Sequence, residues 1–75
     1  MINQISTALK TYRENSNLTQ SDMSKLLDVS EPYYENVERG KVIIDVKTLK
    51  KFSKLSSLSY ELLIYLRQQL LSIRR

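Results

Sequence analysis

The side chains able to do chemistry fall into two adjacent runs of opposite sign. Asp28, Glu31, Glu35 and Glu38 place four carboxylates between positions 28 and 38 with no basic residue among them. From position 39 to 54, Arg39, Lys41, Lys47, Lys50, Lys51 and Lys54 then oppose only Asp45. Clustered Lys and Arg attract a polyanion, whereas carboxylates and amides bind through directed hydrogen bonds. Neither run suggests bond-making chemistry. The chain has no Cys and no His, so the usual soft-metal ligands, a thiol nucleophile and an imidazole base are missing. A single glycine, Gly40, cannot build a glycine-rich phosphate loop. With no nucleophile beside a base and no ligand cluster, the expectation is a protein that is not an enzyme and uses no metal or cofactor.

Seventy-five residues with a formal charge of +4 and a 41% hydrophobic fraction fit one small domain over 1–75. The absence of Cys fits a reducing cytoplasm. MINQISTALK has neither a basic start nor a long apolar stretch, so no secretory signal is expected. The longest apolar run, Leu62 to Leu66, is far below the ~20 residues that span a bilayer.

These groups must be carried on helices, because the apolar residues recur at steps of three and four. Ile2, Ile5, Leu9 and Tyr12 make one stripe, broken by Asn15-Ser16-Asn17. Thr19 and Asp22 have capping-box spacing for a second helix to Leu27, burying Met23, Ser24 and either Leu26 or Leu27. Ser30 caps a third, with Pro32 in its first turn, Tyr34 and Val37 inward, and Gly40 at its end. Asp45 caps a fourth with Val46, Leu49 and Phe52 inward, and Ser59 caps a fifth running towards Arg74. Lys41 to Val46 is β-branched, but a strand without a partner cannot stand, so a loop is expected. The fold class is all-α, with five helices.

Two short helices joined by a turn of about three residues form a helix-turn-helix over about 19–39. The stretches Leu9 to Arg13, Leu18-Thr19-Gln20, Leu27-Asp28-Val29-Ser30, Val37-Glu38-Arg39-Gly40, Thr48-Leu49 and Ser59 to Leu63 resemble the Cro and phage-repressor-like (XRE) helix-turn-helix family. The resemblance covers roughly residues 5 to 64. It implies a five-helix lambda-repressor-like domain that binds double-stranded DNA as a transcriptional regulator, with helix three entering the major groove. It places Glu31, Pro32 and Asn36 at base-reading positions. Asn36 can pair with adenine, and Glu31 can accept from a cytosine amino group. Tyr33 is expected either against a thymine methyl or phosphate, or half-buried against helix two. Gln20, Arg39 and Lys41, with Lys47 and Lys50 on the outer face of helix four, are the expected phosphate contacts. Arg13 and Glu38 match a pair that ties helix one to the end of helix three.

The chain departs from the family pattern in three places. Ser24 stands where Ala is usual, at a close helix crossing. Asp28 takes a left-handed position that is usually Gly. Val42-Ile43-Ile44 occupies a loop that is usually polar, either to plug the core or to offer a protein partner an apolar patch. The four carboxylates of 28–38 repel a phosphate backbone, and the basic run that follows compensates.

Leu63, Leu66, Leu70 and Ile73 have heptad spacing, which makes a helix over about 59–74 the expected homodimer element. The leading expectation is a small Cro-like or controller-type regulator of bacterial, phage or mobile-element origin, cytoplasmic and without a membrane role. It would act as a homodimer on an inverted-repeat operator. The alternative is a protein-interaction module on the same fold, antirepressor or antitoxin-like, using the acidic helix three and the 42–44 loop.

Overall fold

The computed structural model describes residues 3–73. Among them lie five helices and no strand: α1 (Gln4–Asn15), α2 (Gln20–Leu27), α3 (Glu31–Glu38), α4 (Val46–Ser56) and α5 (Tyr60–Ile73). Lys41 to Asp45 form a loop rather than a strand, as expected, and Val46 is already the first residue of α4. Ile2 and Arg74, assigned to the first and last helices by periodicity, lie outside the described residues.

Each helix begins where a short polar side chain can satisfy amides that lack an intrahelical partner. Asn3 and Ser6 form a reciprocal capping box on α1, each side chain accepting from the other's amide at 2.8 Å. Thr19 and Asp22 form a second box on α2, at 3.0 and 2.9 Å. Ser30 caps α3 through Tyr33 N at 3.2 Å, and Asp45 caps α4 through Thr48 N at 2.7 Å. Ser59 Oγ accepts from Leu62 N at 3.2 Å at the start of α5. The cap Asn3 was not singled out from sequence. Glu/Gln is the usual third-position partner, and Ser6 fills that role here by bonding back to Asn3 N.

Every connection between helices contains one left-handed residue: Asn17 (φ 57), Asp28 (φ 59), Gly40 (φ 79) and Ser57 (φ 64). Only one of the four is glycine. Asn and Asp visit this region at reduced cost because their side chains bond locally, whereas Ser57 bears more of it. Asp28 at this backbone angle matches the sequence expectation, and the amide of Val29 returns to Ser24 O at 2.9 Å to close the tight α2–α3 turn.

The core is formed by Ile5, Leu9, Met23, Leu27, Tyr34, Val37, Ile44, Leu49, Phe52 and Leu63. Tyr12 packs edge-on against Phe52 with ring centroids 5.9 Å apart, a favoured geometry for aromatic pairs. Ser24 is buried where α2 meets α3, and its hydroxyl donates to Ser21 O at 2.7 Å, so the small side chain leaves no orphan group in the crossing. Of the two candidates on α2, Leu27 is buried and Leu26 is exposed. Val46 corrects the expected inner face of α4: it is 41% exposed, and Thr48 takes its place beside Leu49 and Phe52. As the first residue after the cap, Val46 lies on the rim of the helix rather than over the core.

The 42–44 loop divides between the two expected roles. Ile44 is buried and plugs the core, Ile43 is half-buried, and Val42 is exposed. Leu63 is likewise a core residue at 1% exposure, and Leu66 and Leu70 are partly buried against the same cluster. The heptad stripe of α5 is therefore the face that closes the protomer, which corrects Leu63 as a dimer contact. Among the described side chains of α5, the large apolar ones left exposed are Leu62, Tyr65 and Leu71. The side chain of Ile73 lies outside what the structure describes.

Candidate nucleic-acid interface

Helix α3 is held from behind by one carboxylate. Glu38 is buried, and its Oε2 accepts from Arg13 Nε at 2.9 Å and from the Tyr34 hydroxyl at 2.6 Å. Its Oε1 accepts from Arg13 Nη2 and Gln20 Nε2, both at 3.0 Å. Arg13 reaches further to Leu18 O at 3.2 Å. Three helices, α1, α2 and α3, thus converge on a single charge-assisted network. Burial pushes the Glu38 carboxyl up, but the hydrogen bonds from Arg13, Tyr34 and Gln20 outweigh it and hold the group below its ordinary value. The Tyr34 hydroxyl is pushed up, first by burial and then by its bond to Glu38. Arg13 is raised by the same carboxylate.

The pairing of Arg13 with Glu38 agrees with the sequence expectation. Tyr34 and Gln20 join it unforeseen. Tyr34 and Glu38 stand four apart on one helix, the spacing that brings side chains together, so that part of the network carried a sequence signal. Gln20 had none, because its partner comes from a different helix.

This network changes the electrostatics of the recognition helix. Glu38 turns inward to Arg13, and Asp28 lies 3.5 Å from Lys51 Nζ. The Asp28 contact is at the surface and is worth little energetically, yet it places a cation beside that carboxylate. Two of the four acidic groups therefore have a cation close by, and Glu31 and Glu35 remain as the carboxylates of the outer helix face. Lys51 also turns towards α2, donating to Leu27 O at 3.4 Å.

The remaining residues singled out from sequence are placed as follows. Glu31 and Pro32 are exposed in the first turn of α3, and Asn36 is half-buried one turn on. Arg39, Lys41, Lys47 and Lys50 are exposed. Gln20, expected on phosphate, is half-buried with its amide on Glu38 at the start of α2. Tyr33 is half-buried, but its hydroxyl meets Asp45 at the cap of α4. A concave surface at the Glu38 end of α3 is bordered by Lys10, Arg13, Gln20 and Arg39, of which Lys10 was not singled out from sequence.

Among the described residues, no group of three or more acidic or soft ligands is positioned to hold a metal ion. No helix of the described residues is long and apolar enough to cross a membrane. The outward face of α3 presents amide and carboxylate groups able to make directed hydrogen bonds. Beside it, the exposed lysines of the loop and of α4 supply diffuse positive charge.

Among known proteins, a helix-turn-helix family model matches residues 9–61 of the chain. No curated protein and no solved structure matches the chain.

Proposed function

The chain belongs to this helix-turn-helix family, in the Cro/repressor-like branch, and from that premise we propose a sequence-specific DNA-binding transcriptional regulator acting as a homodimer. The family supports a DNA-binding regulator of transcription as the general type. In the finer reading, residues 1–75 work as one domain, with the helix-turn-helix over about 19–39 and dimerisation through the helix over about 59–74. α3 lies in the major groove with Glu31, Pro32 and Asn36 at base edges, while Gln20, Arg39, Lys41, Lys47 and Lys50 meet phosphates. The observation that carries this reading is the inward turn of Glu38 onto Arg13, which removes a carboxylate from the face that must approach phosphate. Two such faces related by a dimer axis would read an inverted repeat with half-sites about one helical turn, ~34 Å, apart.

Anisotropy titration against DNA upstream of its own gene tests the proposal. Binding that survives competitor DNA at physiological salt supports it. A folded protein that binds no duplex more tightly than random sequence contradicts it.

A second reading, a protein-interaction module of antirepressor or antitoxin type, is favoured by Glu31 and Glu35 on the outer face of α3 and by exposed Val42. The buried Ile44 leaves that loop less apolar surface to offer than its sequence suggests. Glu31→Lys and Glu35→Lys separate the readings. Under the regulator reading these changes alter base preference; under the second they abolish a protein complex and leave DNA binding unchanged or stronger.

A further inference from the structure

Tyr33 and Asp45 stand twelve positions apart and are joined twice. The Tyr33 hydroxyl donates to Asp45 Oδ2 at 2.9 Å and accepts from Asp45 N at 2.9 Å. The other carboxylate oxygen, Oδ1, accepts from Thr48 N at 2.7 Å. One side chain therefore caps α4 and grips α3 together. Next to it, the carbonyl of buried Ile44 accepts from Arg67 Nε of α5 at 2.7 Å. The segment leaving α3 pivots at Gly40 (φ 79), and Lys41, Val42 and Asp45 along it are exposed. Ile44 anchors this connection in the core, and the hydrogen bonds at Asp45 fix how α4 leaves it.

A phenol whose one proton already goes to Asp45 has no donor left for a base edge. From this arrangement we propose that Tyr33 is a positioning residue for DNA binding. It fixes the first turn of α4, with Lys47 and Lys50, against the recognition helix, and it does not read bases. The proposal rests on the DNA-binding reading above. Phosphate contacts need side chains held to about 0.5 Å, and a start of α4 released from Tyr33 loses that placement while leaving the outer face of α3 intact. The loss then falls on the electrostatic, sequence-independent part of binding.

The test uses Tyr33→Phe, which keeps the ring and removes both hydrogen bonds. Asp45→Ser retains a helix cap and the backbone amide's bond to the phenol, but its side chain is too short to accept the phenol proton, so it removes one of the two bonds. Anisotropy is read across a salt series against a duplex enriched from a random pool and against each of its single-base variants. The proposal expects Tyr33→Phe to weaken binding about tenfold and by the same factor on every duplex, with Asp45→Ser weakening it less and the double variant no weaker than Tyr33→Phe alone. The salt slope should become shallower by about one to two, and Lys47→Ala should then cost nothing further in the Tyr33→Phe background. The amide resonance of Asp45 reports that the bond is gone in a folded protein.

Loss of preference at one base pair with the slope intact means that Tyr33 reads a base, and overturns the proposal. Independent effects of the two substitutions overturn it, as does a lowered melting temperature with unchanged binding by the folded protein. A wild-type chain that enriches no duplex overturns the DNA-binding reading and this role together. Multiplicative effects on a chain that does bind DNA overturn this role alone.

Discussion

Replacing Glu38 by Gln preserves the shape of the side chain and removes the charge on which Arg13, Tyr34 and Gln20 converge. An unpaired guanidinium is left in a site where Arg13 has 15% of its side chain exposed. Breaking a fully buried ion pair costs about 3–5 kcal/mol, and the partial exposure of Arg13 lowers the expected loss to about 2–3 kcal/mol, measurable by urea unfolding. The pH dependence has a definite sign. The folded Glu38 carboxyl lies below its ordinary value of 4.5, so its stabilisation is complete above that pH. That contribution is lost as the pH falls through the folded value, because the unfolded chain then binds more protons. Thermal melts taken below the ordinary glutamate value should therefore fall for the native chain and fall less for Glu38→Gln. At this scale, sequence foresaw one pairing and the exposure of some residues but not the contacts of others. Arg13 with Glu38 was legible from the family pattern, and Pro32 and Glu31 are exposed as expected. The family pattern places Gln20 on phosphate, and Tyr33 is left between an outward contact and partial burial against helix two; the bonds each makes within the protomer carry no sequence signal. Their partners, Glu38 and Asp45, come from other elements, and no local spacing reports that.

Helix boundaries were the most legible feature, because each depends on side chains within three residues of the cap. Thr19→Ala removes the acceptor for Asp22 N and half of the α2 box, and should cost about 1 kcal/mol in chemical denaturation. Asp28 offers the opposite test. Its backbone sits at φ 59, where Gly suffers no Cβ strain, so Asp28→Gly should stabilise the fold. The entropy that glycine adds to the unfolded chain offsets part of this, leaving a gain of roughly 0.5 kcal/mol. A melting temperature that fell in Asp28→Gly would show that the Lys51 contact outweighs backbone strain. Inner faces were harder to read at the ends of helices than in their middles. Leu49 and Phe52 sit where periodicity put them, whereas Val46, in the first turn, is displaced by Thr48. Spacing of three from Leu49 reaches Val46 equally well, but the buried stripe runs through Thr48, Leu49 and Phe52 and leaves Val46 at its edge.

At the scale of the molecule, the apolar stripe of α5 had two possible uses, and only packing distinguishes them. Leu63 closes the protomer's own core, with Leu66 and Leu70 packed against it. A heptad pattern reports that a face is buried without saying by what. The proposed dimer must therefore draw on what remains outward, above all Leu62 at 51% and Tyr65 at 59% exposure. Leu62→Asp should leave the melting temperature of the protomer nearly unchanged and convert a sedimenting dimer into a monomer at micromolar concentration. Leu63→Asp should unfold the chain outright, since it buries a charge with no partner. The charge distribution also takes its meaning at this scale. A net +4 becomes an outer α3 face carrying Glu31 and Glu35 beside exposed Lys41, Lys47 and Lys50, with Glu38 withdrawn into the protomer. The central claim is that this face reads DNA, and selection of bound duplexes from a random pool at physiological salt tests it most directly. A dimer that reads DNA through this face should enrich an inverted repeat with half-sites about one helical turn apart. Recovery of a pool with no shared sequence, from protein shown to be folded, would contradict it.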